Sequence, residues 1–284
     1  MVLVGIGAGL YPASGLSLLH GLIHSWDRQK AYSLHEIGPH SAMLLAPLVA
    51  NVFLTFSTWR IAYVVVGVSA LVFGMLFYFR IDAGYERGHP PTMTTLMQLL
   101  KNPSFLLMIL LIGLGLGSMQ GVYTLMPLFL VVEGGLPPTY ANTLFGLSRA
   151  APLISLLTLG WIPDRIGVRR SIRLFLLMTG TCTIMIGLLK GPLLILFVFL
   201  QPAIGALIVP AALGVIQDIN RDTSVSVTFS FMLPISTFIA TGIVPSFLGF
   251  MGDFRSIGAG FLVFGIVMMV VGLAAVYGIP RKSA

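Results

Sequence analysis

Residues 105–132 read FLLMILLIGLGLGSMQGVYTLMPLFLVV, an apolar run without a single charged side chain. Crossing about 30 Å of hydrocarbon takes roughly 20 residues of α-helix. A transmembrane strand would be about ten residues long and would alternate apolar with polar positions, a pattern that the continuous LLMILLIGLGLG contradicts. The stretch is therefore predicted to be a membrane-spanning helix. Eight further apolar runs flank it, at about Met1 to Leu22, Gly38 to Phe56, Trp59 to Phe79, Tyr140 to Ile162, Ile172 to Leu189, Leu193 to Gln217, Val225 to Gly249 and Ile257 to Tyr277. The expected fold is an all-α polytopic membrane protein, a helical bundle with nine transmembrane helices. Composition agrees: 57% of the 284 residues are hydrophobic and 9% charged, with a mean hydropathy of +0.98, whereas a soluble domain carries about 25% charged residues. One cysteine, Cys182, closes no bridge within the chain.

The 16 basic residues are unevenly placed. Loops on one side hold Arg28, Lys30, Arg80, Arg87, Lys101, Arg165, Arg169, Arg170, Arg173, Arg221, Arg281 and Lys282; the other side holds Arg60, Lys190 and Arg255. Basic residues gather in cytoplasmic loops, so the C-terminus is expected in the cytoplasm of a multi-pass plasma-membrane protein. The basic excess is then a matter of topology, and no nucleic-acid partner is expected. The sixteenth basic residue, Arg149, lies inside a span.

Sliding the chain along itself by 198 residues superposes the first three spans on the last three. Gly7, Pro12, Pro47, Gly67 and Gly74 fall on Gly205, Pro210, Pro245, Gly265 and Gly272. An even number of spans separates the two copies, so they share one orientation, a parallel internal repeat of the kind found in secondary transporters. The middle three spans have no mate. With six helices per repeat, their mates would precede Met1, and the chain reads as nine-twelfths of a twelve-helix protein.

Between the fifth and sixth spans stands Gly160-Trp-Ile-Pro-Asp-Arg-Ile-Gly-Val-Arg-Arg170. Gly167 permits a tight turn with positive φ, Asp164 is suited to a helix N-terminus, and the arginines sit at headgroup level. This segment resembles the G-x-L-A-D-R-x-G-R-K/R loop of the major facilitator superfamily, with Gly160, Asp164, Arg165, Gly167 and Arg169 matching and Pro163 and Val168 departing. Thr58-Trp59-Arg60 and Gly249-Phe-Met-Gly-Asp253 are similar to features flanking later helices of that fold. The resemblance implies helices 4 to 12 of twelve: residues 1–80 as the second part of an N-terminal bundle, 81–103 as a cytoplasmic central linker and 104–284 as a C-terminal six-helix bundle. It further implies a permease that moves a small solute across the bilayer by alternating access, with the Gly160 to Arg169 loop as a conformational switch and the absent helices, or another chain, as partners.

Arg149 lies about 15 Å into its span, where a charge costs at least about 2.5–3.5 kcal/mol on insertion scales. Every acidic residue is expected in a loop or near a span end, so Arg149 is available to an anionic solute group, which a guanidinium grips with two parallel donors. The alternatives are backbone carbonyls of a broken helix or an acid outside this chain. Several anion carriers of the superfamily are similar in using a helix-8 arginine, about two turns from the loop, whereas Arg149 is fifteen residues from Asp164. Asn142 shares its stripe. In Gly113 to Thr124 the clustered glycines mark either a helix that unwinds along a cavity or close helix packing, with Gln120, Tyr123 and Thr124 on one face. Gln201 and the stripe Ser230, Pro234, Thr237, Thr241 are further candidate solute residues, for which local hydrogen bonding within the bundle is the alternative and the favoured reading. His20, His24, His35, His40 and His89 read as interfacial side chains, since no HExxH, CxxC or acidic third ligand accompanies them; no metal or cofactor is expected. Without embedded acid, histidine or metal ligands an intramembrane enzyme is not expected either. The competing readings are an exporter of neutral or cationic amphiphiles and an inactive truncated remnant.

Overall fold

The computed structural model describes residues 2–24, 26–56, 58–80, 92–214 and 225–278. Most of the predicted linker, at 81–91, lies outside the described residues, as do Arg87, His89, Arg221, Arg281 and Lys282. The described chain is helix and turn, with no strand. Helices α1 (Val2–Leu22), α2 (Arg28–Phe56) and α3 (Trp59–Arg80) come first. The short α4 (Met93–Leu100) leads to α5 (Pro103–Leu116), which passes through a π-turn at Gly117–Gly121 into α6 (Val122–Val132). Then follow α7 (Pro138–Ser148), α8 (Ala151–Leu159), the one-turn α9 (Ile162–Ile166), α10 (Val168–Leu188), α11 (Pro192–Gly205) and α12 (Ile208–Leu213). The last are α13 (Val225–Phe238), joined by a π-turn at Ile239–Ile243 to α14 (Val244–Phe254), and α15 (Ile257–Gly278).

Local chemistry sets these boundaries. Asn102 caps α5, its Oδ1 accepting from the Ser104 N–H at 2.9 Å, and Pro103 follows at the position where a missing N–H costs nothing. At the far end of the same continuous helix, Glu133 takes the backbone N–H groups of Ile257 and Gly258, at 2.5 and 3.0 Å, and so caps α15 across space.

Six helices among the described residues are long and apolar enough to cross a membrane: Arg60–Arg80, Pro103–Val132, Val168–Leu188, Pro192–Leu213, Val225–Phe254 and Ile257–Ala274. That is fewer than the nine predicted spans. The other three correspond to α1, to α2 and to the run from Tyr140 to Ile162, which is not one helix. There α7 ends at Ser148, Arg149 and Ala150 form a turn, and α8 restarts with Pro152 in its first turn; proline has no N–H to continue the hydrogen-bond ladder. Helix α2 differs in the opposite sense. It starts at Arg28, ten residues before the predicted span, because the polar stretch QKAYSLHEI suits a helix although its hydropathy hides it.

The internal repeat is visible in the helix bounds. A shift of 198 residues carries 59–80 onto 257–278, the limits of α15, and 28–56 onto 226–254 within the continuous helix Val225–Phe254. Tight packing holds the later helices together. α10 and α15 meet through facing glycines: a Cβ on Gly180 would lie 2.7 Å from the Gly265 carbonyl oxygen, and one on Gly265 would lie 2.6 Å from that of Gly180. Buried Phe105, Met108, Ile112, Phe129, Phe261 and Met268 fill the interior between α5, α6 and α15. Helix α3, by contrast, is exposed along its whole apolar length.

Candidate solute site

The break after α7 positions Arg149. Arg149 follows the last turn of α7, and its guanidinium carbon lies 3.9 Å from the centroid of the Tyr123 ring on α6 and 4.8 Å from that of Phe145 on α7. The two rings pack 5.4 Å apart. Cation–π attraction of about 0.5–2 kcal/mol, larger where water is excluded, holds the guanidinium against this aromatic pair. Among the described residues Arg149 forms no ion pair and bonds no backbone carbonyl; Nη1 points at Met43 Sδ, 4.0 Å away on α2. Its donors are therefore turned into the cavity.

That cavity measures about 830 Å³ and is lined by Arg149, Gln120, Tyr123, Thr124 and Asn142 together with Thr241, Met43, Leu44, Pro127, Phe145 and Gly146. Arg149, Gln120, Tyr123, Thr124 and Asn142 thus come together, with Thr241 of the later stripe. Gln201 does not. It is fully buried among helices, where its Nε2 donates to the Ser118 carbonyl at 3.0 Å and to Thr183 Oγ1 at 3.4 Å. Thr237 also lies outside the cavity wall, whereas Thr241, four residues on, lines it while its hydroxyl donates to the Thr237 carbonyl at 2.9 Å. The glycine cluster of the central helix does not unwind. It makes a π-turn, a feature frequent at functional sites, and packs closely, with Gly113 against Ile239, Gly115 against Ile208 and Gly117 against Val244.

Met43 and Leu44 escape a reading of polar residues, yet a signal for Met43 exists. The 198-residue shift pairs Met43 with Thr241, and both line the cavity. The chamber therefore has repeat-related positions on two of its walls.

The loop residues Gly160, Asp164, Arg165, Gly167 and Arg169 gather at one end of the bundle. A Cβ on Gly160 would lie 2.5 Å from Ser33 Cβ of α2, and the Ser33 hydroxyl donates to the Gly160 carbonyl at 3.4 Å. Gly167 has φ +88°, the left-handed region that favours glycine. Arg165 stacks on Trp161 at 4.3 Å, and a groove of about 480 Å³ between Lys30 and Leu34 of α2 and Leu156, Leu157, Asp164 and Arg165 runs beside the contact. The loop thus packs against α2.

The four described histidines contact aromatic, carboxyl or backbone groups instead of one another. His20 meets the Tyr32 hydroxyl, His35 the Tyr11 hydroxyl, His40 the Glu36 carbonyl, and His24 stacks on Trp26. Among the described residues no three His, Cys, Asp or Glu side chains converge. The early start of α2 puts Glu36 eight residues inside the helix, with its side chain 13% exposed.

A bundle of apolar helices with a parallel repeat, enclosing a chamber with repeat-related wall positions, is the architecture of a secondary transporter. The profile of the Major Facilitator Superfamily matches residues 1–229, and the chain belongs to that family. It is a multi-pass membrane transporter of small solutes, not an enzyme. No curated protein matches the sequence. Forty-two chains of solved structures match; among them the E. coli fucose:proton symporter FucP, in a singly substituted form, is similar with a TM-score of 0.77 and 14% identity over 98% of this chain and 75% of that one.

Proposed function

We propose that the chain moves a small solute bearing an anionic group, by alternating access around the cavity of Arg149. The single observation that carries the reading is a guanidinium held by two aromatic rings with no carboxylate partner among the described residues. A charge so placed needs compensation, and a carboxylate offers it through two parallel hydrogen bonds. Gln120, Thr124, Asn142 and Thr241 supply amide and hydroxyl groups for the rest of the solute, and Met43, Leu44, Pro127 and Phe145 form the apolar part of the wall. Residues 1–80 belong on this reading to one bundle and 104–284 to the other, with 81–103 linking them. The exposed α3 is covered by further helices of the first bundle, and the basic loops with the C-terminus lie in the cytoplasm of a plasma-membrane protein.

The test is a thermal-stability screen of the purified chain in lipid nanodiscs, with small carboxylates set against their neutral amides. One or more carboxylates should stabilise the protein and the matching amides should not. Equal stabilisation by both would remove the anion from the proposal.

The switch role of the loop has its own test. Asp164→Asn should slow solute exchange severalfold while leaving solute affinity close to that of the parent, because the loop sits at the α2 contact and not in the cavity. Parental exchange rates in proteoliposomes would leave the loop with a topological role only.

A further inference from the structure

The π-turn at Gly117–Gly121 interrupts the α-helical hydrogen bonding of the central helix. The Val122 N–H, which in a regular α-helix bonds the carbonyl four residues back, bonds Gly117 instead of Ser118. A donor from another helix takes its place: Gln201 Nε2 of α11 lies 3.0 Å from the Ser118 carbonyl oxygen. That contact fixes the orientation of the Gln201 amide, because the opposite orientation would set two acceptors against each other. Gln201 Oε1 therefore faces away from Ser118. The oxygen is buried and meets no donor of the protein, on a side chain with no exposed surface.

A second unmatched oxygen lies close by. On α10 the hydroxyls of Thr181 and Thr183 each donate to the carbonyl four residues earlier, at 2.8 Å, a common habit of threonine in helices. Thr179 departs from it, its Oγ1 being buried without a protein partner. Thr179 and Thr183 are one turn apart on α10, and Gln201 and Gly205 are one turn apart on α11. Gln201 meets Thr183, with Nε2 3.4 Å from Oγ1. A Cβ on Gly205 would lie 3.4 Å from Thr179 Cγ2 and 2.9 Å from Ser118 Oγ. Both unmatched oxygens thus belong to one cluster of four fully buried polar side chains, Ser118, Thr179, Thr183 and Gln201, where α10 and α11 close on the π-turn.

The placement of the hydroxyl protons identifies what completes the cluster. Ser118 gives its proton to the Gly115 carbonyl at 2.7 Å, and Thr183 gives its own to the Thr179 carbonyl, so neither donates to Gln201 Oε1. Thr179 has a proton to give and no acceptor in range. A molecule that accepts from Thr179 and donates to Gln201 Oε1 and to a lone pair of Ser118 Oγ satisfies both unmatched groups. Water has that capacity, and a buried water typically makes about three hydrogen bonds to groups otherwise left unpaired. A metal cation does not fit, because all four side chains are neutral and a buried charge would gain no counter-charge from them.

We infer that the protein binds one internal water between Thr179, Gln201 and Ser118, behind the wall of the solute cavity. The π-turn that presents Ser118 to this water also carries Gln120, which lines the cavity. The water is therefore part of what supports that wall, whatever the charge of the solute.

The direct test is a high-resolution crystallographic map of the whole chain grown in a lipid phase. A peak should stand about 2.7–3.0 Å from Thr179 Oγ1 and from Gln201 Oε1. A map without that peak overturns the site, as does a peak with its oxygens at about 2.3–2.5 Å, the spacing around a calcium ion. Thr179→Val supplies a second measurement, in lipid nanodiscs, since valine keeps the branched shape and removes the hydroxyl. Loss of a hydroxyl that bonds the water leaves Gln201 Oε1 poorly matched and should lower the melting temperature by several degrees, whereas loss of an unpaired hydroxyl is neutral or stabilising. A melting temperature equal to that of the parent, or higher, overturns the site as well.

Discussion

Arg149→Ala should weaken binding of a carboxylate solute by about 2–5 kcal/mol, the range for losing one partner of a buried, hydrogen-bonded charge pair. Arg149→Lys should lie between the two proteins. An ammonium keeps the attraction but loses the planar fork, and it stacks less well on the Tyr123 and Phe145 rings that hold the guanidinium at 3.9 and 4.8 Å. The measurement is calorimetric affinity for a carboxylate that stabilises the parent, with melting temperature recorded for each variant to separate binding from folding. Parental affinity in a well-folded Arg149→Ala protein would make the arginine structural and end the case for an anion.

Gly265→Leu should be strongly destabilising. Its Cβ would lie 2.6 Å from the Gly180 carbonyl oxygen and 2.7 Å from Ile184 Cγ1, so α10 and α15 must move apart and lose their contact. Overpacking of this kind costs about 1–3 kcal/mol and sometimes more, and the rest of a leucine side chain adds to the clash. Gly67→Leu is the matched control. The repeat pairs the two glycines, yet no atom lies within 4 Å of a Cβ at Gly67. Melting temperatures in detergent should fall for the first variant and stay within a few degrees of the parent for the second. Similar melting temperatures for the two would show that the glycine contact contributes little to cohesion.

This pair of glycines marks a limit of reading sequence alone. Gly67 and Gly265 look alike because each recurs at the same place in its copy of the repeat, and nothing local distinguishes a glycine that faces another backbone from one that faces outward. The distinction belongs to residues distant in the chain. The split of the Tyr140 to Ile162 span was also missed. Hydropathy averages over a window, whereas Pro152 breaks the hydrogen-bond ladder at one point. The start of α2 was lost for the same reason, since polar residues extend a helix without extending its apolar run.

The helical class, the membrane setting, the parallel repeat and the loop motif were determined by the sequence itself. Each is written in local quantities: the length of apolar runs, the recurrence of glycine and proline, and the spacing of Asp164, Arg165 and Gly167. Arg149 could be singled out too, because a charge inside an apolar run is visible without a structure. Which groups stand around that arginine was decided only by tertiary structure. Tyr123, Phe145, Met43 and Thr241 come from four separate stretches of chain. Proximity across helices depends on how their surfaces interlock, and that information is shared among all the contacting segments and held by none of them alone.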